Sequence, residues 1–403
     1  MSNITEKYIE DRFAFFTNSE KEIYEFMEEN DVHTYVERTR TDQISVMVLR
    51  DDPDCGPPNI PVWSIEPNRP LARTVKLNVK GAVKTVAINE RFQPARIQVP
   101  QGDFKINEDL VLGIGGSAYL LSGNALSTLC QRIDYDGGKT VGGLDKASEI
   151  AKRLMTTKAT VKAVIKTVDG IGKIHAFLSD RYCEKKLSDM EKLIREFRKD
   201  QKLGRLEFMS GSYNHRYTRL LYKLPEYEGL LKLDGINMAP YIEITNSDTG
   251  NSSYTVSAAW KTQTSHEVFY SSREKFKHNS LKTSDKDIVA MTYAQFEHYV
   301  KHLKELKKQP LVIDEKIIDK AIEKVCFEYS PFSKKRLKKA ALRKLKELDP
   351  EKSTAYDLTE IMCQLPELLE AHLAEKGQTL CDETYFKLRK ALANVSTLDI
   401  EGA

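Results

Sequence analysis

The sequence predicts an α+β protein: a largely antiparallel sheet with helices packed against it, followed by a helical C-terminal unit. Three observations carry this. Short alternating β-branched runs come in neighbouring pairs, Val161 to Val168 with Lys173 to Leu178 and Pro240 to Thr245 with Tyr254 to Lys261, each pair joined by turn residues. Helical periodicity sits between these pairs rather than alternating with single strands. From Thr292 onward nearly every segment is helical by period, with breaks at Pro310, Ser330-Pro331, Asp349-Pro350 and Gly377. At 403 residues the chain calls for more than one domain, and composition shifts suggest 1–110, 111–290 and 291–403.

Taken in order, Ser19-Glu20-Lys21-Glu22 reads as a capping box that opens an acidic helix through Glu29, burying Ile23, Phe26 and Met27. The proline- and aspartate-rich run Asp51 to Pro58 stops regular structure and marks a surface loop. Val75 to Val79 and Val83 to Ile88, separated by Lys80-Gly81, form a hairpin. The glycine-rich stretch Gly113 to Ser117 precedes a helix with apolar residues at 125, 126, 129, 130 and 133, for which Asn124 is a suitable N-cap. Asp145 to Thr156 is a second helix, and Asp169-Gly170 turns the next hairpin. Ser188-Asp189-Met190-Glu191 is a second capping box, opening a helix toward Lys199. Strands follow at Arg205 to Met209, His215 to Lys223, Pro240 to Thr245 and Tyr254 to Lys261.

The order Ser122 to Arg132, helix, hairpin, then Ala176-Phe177-Leu178-Ser179-Asp180-Arg181-Tyr182 resembles the phage/plasmid-like protein family (domain of unknown function 932). Ile244-Thr245-Asn246-Ser247-Asp248-Thr249-Gly250, the basic Lys275 to Asn279 and Thr354 to Glu360 agree with it, so the resemblance spans roughly residues 120–370. It implies a gene of phages, plasmids or integrated elements and supplies no mechanism.

Charge narrows the function classes. Sixty-two Lys and Arg against fifty-nine Asp and Glu leave a net +3, too near balance to imply nucleic-acid binding alone. Distribution says more: Met1 to Asp54 holds fourteen acidic and six basic residues, whereas Pro331 to Glu347 holds eight basic and one acidic. No apolar run is long enough for a membrane span, and Met1 to Glu6 lacks the regions of a signal peptide, which predicts a cytoplasmic protein in a bacterial host with no membrane partner. The six cysteines are far apart and read as free thiols. Cys183 has no base partner that sequence can name.

Two segments are candidates for nucleic-acid binding, single-stranded DNA foremost. In the first, Leu337, Ala341, Leu345 and Leu348 would pack inward, leaving Lys334, Lys335, Arg336, Lys338, Lys339, Arg343 and Lys344 to neutralise phosphates; a solvated face or an acidic protein contact is the plainer alternative. The second is a strand face offering Tyr217 and Arg219, with Arg181, Tyr182 and Lys261 nearby if the strands pair, which could stack unpaired bases or simply cover a half-buried sheet. No cofactor is expected, and a homo-oligomer stays open. Two other classes stay open as well. One is an anti-defence protein that binds and inhibits a host immune complex. The other is a magnesium-dependent nucleotidyltransferase, resting on Gly115-Gly116-Ser117 and Asp134-Tyr135-Asp136. His298 and His302 have helical spacing for a shared metal but no glutamate between them to activate water, and an exposed helix face is the plainer reading.

Overall fold

Residues 4–49, 62–64, 73–79, 82–88, 110–115, 117–136, 143–168, 171–200, 204–228, 238–251, 253–262, 269–276, 283–327, 334–349, 352–362 and 365 are described by a computed structural model. After a 3-10 turn at Glu6–Ile9 come β1 (Ala14–Thr17), α1 (Glu20–His33), β2 (Thr34–Arg40), β3 (Ser45–Leu49), β4 (Val62–Ser64), β5 (Arg73–Val79) and β6 (Ala82–Ile88). Next are β7 (Leu110–Ile114), β8 (Ser117–Leu121), α2 (Gly123–Arg132), α3 (Gly143–Thr157), β9 (Thr160–Val168), β10 (Ile171–Ser179) and α4 (Asp189–Lys199). The remainder is β11 (Glu207–Asn214), β12 (Tyr217–Lys223), α5 (Pro225–Glu228), β13 (Met238–Asn246), β14 (Tyr254–Thr262), β15 (Phe269–Phe276), α6 (Asp285–Lys307), α7 (Glu315–Phe327) and α8 (Lys334–Leu345), with a further helical stretch at 355–362.

These elements make an α+β fold. One sheet is wholly antiparallel, in the order β1-β11-β12-β13-β14-β15. A second, mixed sheet runs β2-β9-β10-β8-β7-β3-β4, with β10 and β8 parallel. It curls, since the Tyr35 hydroxyl on β2 meets that of Tyr119 on β8 at 2.7 Å across three strand positions. The hairpin β5–β6 pairs as expected.

The antiparallel sheet buries one face under α1, α4 and α6. Alternation puts Thr218, Leu220 and Tyr222 of β12 inward, with Ile242, Ile244, Val256, Ala258 and Trp260 beside them, against Phe26, Phe197 and Phe296. Trp260 and Phe296 meet edge to face at 5.2 Å. Where β14 and β15 slip register between Ser257 and Ala259, the Ala258 N–H is donated to Gln295 Oε1 of α6 at 3.1 Å, which ties the helix to the bulge. The mixed sheet packs Ile165, Ile174 and Phe177 against Leu129 of α2 and Ile150 and Leu154 of α3. A third cluster joins α7, α8 and the 355–362 helix through Ile318, Ile322, Leu337, Ala341, Leu358 and Met362.

β1 adds to the antiparallel sheet, and β2 to β4 are strands of the mixed one. Ile288, Val289, Phe296 and Leu303 of α6 sit in the antiparallel sheet's core. Several local expectations are corrected. Helix α1 runs on to His33. Ser122 rather than Asn124 caps α2, accepting from Ala125 N, which frees the Asn124 amide for the His175 carbonyl. The Ser188 capping box does not form. Ser188 has helical dihedrals, and the Asp31 carboxylate accepts from Leu187 N and Ser188 N at 3.0 Å each, satisfying the start of α4 from α1. Gly113 to Ser117 is a β7–β8 hairpin, the Arg205 to Met209 strand is β11 extended to Asn214, and β15 had no expectation at all. The expected loop at 51–58, the turn residues Lys80-Gly81 and Asp169-Gly170, the breaks at Ser330-Pro331, Pro350 and Gly377, and the basic residues 277–279 lie outside the described residues.

Candidate functional site

Helix α8 sorts its cations by geometry. Leu337 and Ala341 point into the three-helix core. Lys338, beside that face, reaches Glu315 and Asp319 of α7 at 2.6 Å each, and those hydrogen bonds raise its pKa. Lys344 pairs with Glu347 at 2.8 Å, and Lys334 approaches Glu323 at 3.4 Å with both side chains exposed. Lys335, Lys339 and Lys346 are exposed and have no carboxylate partner among the described residues. Arg343 is exposed on the same stripe, and the Arg336 side chain lies outside the described residues.

The second candidate face is the side of the antiparallel sheet opposite α1, α4 and α6, and most of it is buried as well, with Leu221, Tyr241, Glu243, Thr245 and Ala259 out of solvent. Direct pairing puts Phe16, Ser212, Arg219 and Thr245 in one transverse row, and Tyr217 and Lys261 share that face. Arg219 is not a free cation: its guanidinium donates to Glu243, whose side chain is buried. Phe16, which sequence reading missed, is 67% exposed on edge strand β1, while its neighbour Phe15 packs on Phe26 at 4.6 Å. Strand β1 is only the four residues Ala14–Thr17, with no apolar–polar alternation to read.

Arg181 and Tyr182 are elsewhere. Arg181 is exposed beyond β10, and the Tyr182 hydroxyl donates to the Ser247 carbonyl at 3.0 Å. Here the segments 176–182 and 244–250 touch. Gly250 has φ +73°, and a Cβ on it would lie 2.5 Å from Leu178 Cδ2, so this turn requires glycine on both counts. Helix α8 packs in the three-helix cluster, whereas Leu221, Tyr241 and Ala259 of this sheet face form a small cluster of their own, so the two expected parts of one surface lie in different apolar clusters.

Behind that contact lies a sealed polar cluster that sequence reading did not single out. Lys166 on β9 is fully buried and reaches Asp248 Oδ2 at 2.5 Å, Asn30 Oδ1 at 3.1 Å, Thr34 Oγ1 at 3.2 Å and Tyr8 Oη at 3.3 Å. Burial works against its charge, but Asp248 and Tyr8 outweigh burial and its pKa ends raised. Lys173 lies directly opposite Lys166 across β9–β10 and is matched by Asp11 at 2.7 Å. Just beyond that pair the β10 bulge, between Ile174 and Ala176, displaces His175 from the ladder, and its ring meets His215 with centroids 4.0 Å apart. Both imidazoles are held well below the usual histidine pKa, first by burial and then by neighbouring positive groups. His215 Nδ1 contacts the Tyr213 hydroxyl at 3.0 Å, and neither Nε2 has a hydrogen-bond partner among the described residues.

Ser122 pins the bulge as well as the helix, since its hydroxyl accepts from Ala125 N at 3.0 Å and donates to the His175 carbonyl at 3.2 Å. Ser122→Ala is therefore expected to cost about 1–2 kcal/mol in urea unfolding.

The remaining candidates are dispersed. Asp134, with φ +51°, and Asp136 are both exposed after α2, Gly116 lies outside the described residues, and no group of three metal-ligating side chains exists among the described residues. His298 is exposed and His302 half-buried on α6. Cys130 is buried, which raises its pKa, and Cys183 is exposed. No helix among the described residues is long and apolar enough to cross a membrane. Comparison of the chain with protein-family models, curated proteins and solved structures finds no match.

Proposed function

We propose that the protein binds single-stranded nucleic acid, DNA foremost, without covalent chemistry and in the setting of a mobile element. The observation that carries this reading is the unmatched lysine stripe of α8. Lys335 and Lys339 are one helical turn apart and Lys346 follows two turns on, while the lysines nearer the core are held by carboxylates. A helix that needed only a solvated polar face would gain from mixed charges there; one-signed amines free of carboxylates suit phosphate neutralisation. Phe16, exposed on edge strand β1, and the half-buried Tyr217 on the same sheet face supply flat rings on which bases could stack. The resemblance to the phage/plasmid-like family supports the mobile-element setting.

Fluorescence anisotropy with a labelled single-stranded oligonucleotide across a salt series tests this. Changing Lys335, Lys339 and Lys346 together to glutamine is expected to make the slope of log affinity against log salt shallower by about 2, at roughly 0.7 per phosphate contact on single strands. Lys338→Gln is expected to leave that slope alone, because its amine is already taken by α7. Equal slopes for the triple variant and the parent would overturn the assignment, as would equal affinity for duplex DNA and an unrelated polyanion.

A further inference from the structure

Around Lys166 the sealed cluster brings together, besides an ion pair, the parts of an amide-exchange reaction. Lys166 Nζ reaches Asn30 Oδ1 at 3.1 Å, so the amine lies beside the amide carbon that carries this oxygen. Nζ also touches Asp248 Oδ2 at 2.5 Å, and the same oxygen accepts from Asn30 Nδ2 at 3.3 Å. One carboxylate oxygen therefore contacts both the nitrogen that would attack and the nitrogen that would leave. The carbonyl is engaged by a further group, since the Tyr8 hydroxyl donates to Asn30 Oδ1 at 2.5 Å. Burial raises the Tyr8 pKa and keeps this donor protonated.

The surroundings favour such an exchange over its competitors. Lys166 and Asn30 are wholly buried and Asp248 is 11% exposed, so water, the competing nucleophile, is kept from the amide. The rings of Tyr8 and Tyr213 flank the amine, each with its centroid 5.5 Å from Nζ. The pair rests as ions, yet burial opposes charge here, and passing one proton from Nζ to Asp248 leaves a neutral amine and a carboxylic acid in place of two buried charges. The approach is set by the fold: Asn30 is on α1, Lys166 on β9 and Asp248 in the β13–β14 turn. That turn is itself held, by the Tyr182 hydroxyl on the Ser247 carbonyl and the Thr249 hydroxyl on that of His215.

We propose that Lys166 and Asn30 join in a self-catalysed isopeptide bond. Asp248 takes a proton from Nζ, the neutral amine attacks Asn30 Cγ, and the Tyr8 hydroxyl stabilises the charge that develops on Oδ1. Asp248 then gives its proton to Nδ2 and takes a second one from Nζ. The Nζ–Cγ bond remains, the Cγ–Nδ2 bond breaks, and ammonia leaves. The step is redox-neutral and consumes nothing besides the two side chains. It ends with an amide and a neutral carboxylic acid where two charges had been buried, and it ties α1 to β9 between residues 136 apart in the chain.

Mass spectrometry of the folded full-length protein tests this. The intact mass is expected to lie about 17 Da below that required by the sequence, the mass of one ammonia lost to the attacking amine. A tryptic digest is expected to give one branched peptide joining 22–38 to 163–173, uncut at Lys166. Asp248→Asn removes the proton carrier and is expected to slow bond formation by at least about a hundredfold, leaving the freshly purified variant unbranched. Asn30→Ala removes the acceptor carbon and is expected to be unbranched at any time. Lys166→Met removes the ion pair and the bond together, so stability does not separate the two and mass does. If the variants fail to fold, the peptides of the parent decide by themselves. A parent whose intact mass equals that of its sequence, with 22–38 and 163–166 recovered as separate peptides, overturns the proposal. A deficit of about 18 Da, with Asp248 in the branched peptide, marks attack on the carboxylate and overturns the assignment to Asn30. Because α8 takes no part, the result stands or falls apart from the nucleic-acid reading.

Discussion

Replacing Lys166 with methionine is expected to destabilise the protein by about 3–5 kcal/mol, the largest effect of any single substitution considered. The ammonium is fully buried and its partner Asp248 is only 11% exposed, so the variant leaves a carboxylate with no counterion in a sealed seam. Asn30, Thr34 and Tyr8 lose the donor they share and would have to reorganise around a thioether. The reciprocal change, Asp248→Asn, is expected to be less severe, because the amide oxygen can still accept from Lys166. The double variant Lys166→Met with Asp248→Asn should recover a good part of the loss, since no unpaired charge remains. Urea unfolding of all three gives the coupling between the sites. If Lys166→Met alone costs under about 1 kcal/mol, water must reach the seam and the cluster is not sealed.

The second large effect concerns acid. His175 and His215 have native pKa values well below 6.5, with burial the main cause and the nearby Lys166 and Lys173 adding to it. Between that lowered range and pH 6.5 the unfolded chain takes up protons that the native state refuses, so stability is complete above the unfolded pKa and is lost as pH falls. From pH 8 to 5 the loss is at most about 2 kcal/mol per imidazole and about 4 kcal/mol for the pair, the bound set by the roughly 1.5 pH units between the unfolded pKa of about 6.5 and pH 5. Chemical denaturation at several pH values, compared with a His175→Gln, His215→Gln variant, checks this. A slope that is the same in both proteins would mean that the paired rings already titrate near their ordinary pKa.

Much of the architecture could be read from local pattern. Period-two alternation found β9, β10, β12, β13 and β14, because apolar side chains are concentrated on one face of each, although smaller clusters of Val164, Ala176 and Leu178 and of Leu221, Tyr241 and Ala259 lie on the opposite faces. Helices α2 and α3 stood out by their apolar spacing for the same reason. The misses share a physical cause. Strand β7 is buried at all five positions, so it has no alternation to detect, and β1 is too short. Ser188 looked like an N-cap because its three-residue pattern is right; it is not one because a carboxylate from α1, 157 residues away in sequence, takes the job.

For the site, the contrast is sharper. The amphipathic character of α8, and hence its excess of lysines on one side, was legible in the sequence, since helical geometry alone decides which residues share a face. Which of those lysines are available was not, because Lys338 and Lys339 are adjacent in the chain and only the position of α7 makes one a structural ion pair and leaves the other unmatched. The buried cluster was invisible for a stronger reason. Tyr8, Asp11, Asn30, Lys166, Lys173, His175, His215 and Asp248 form no motif and are scattered over about 240 residues of chain, and a lysine in a strand ordinarily reads as solvent-facing. Sequence by itself determined the α+β class and the helix that concentrates positive charge, since both follow from short-range periodicity. Tertiary structure alone decided where β1 and β2 to β4 belong, which cations keep a free charge, and that two lysines and two histidines meet out of water, because each depends on desolvation and on partners far away in the chain.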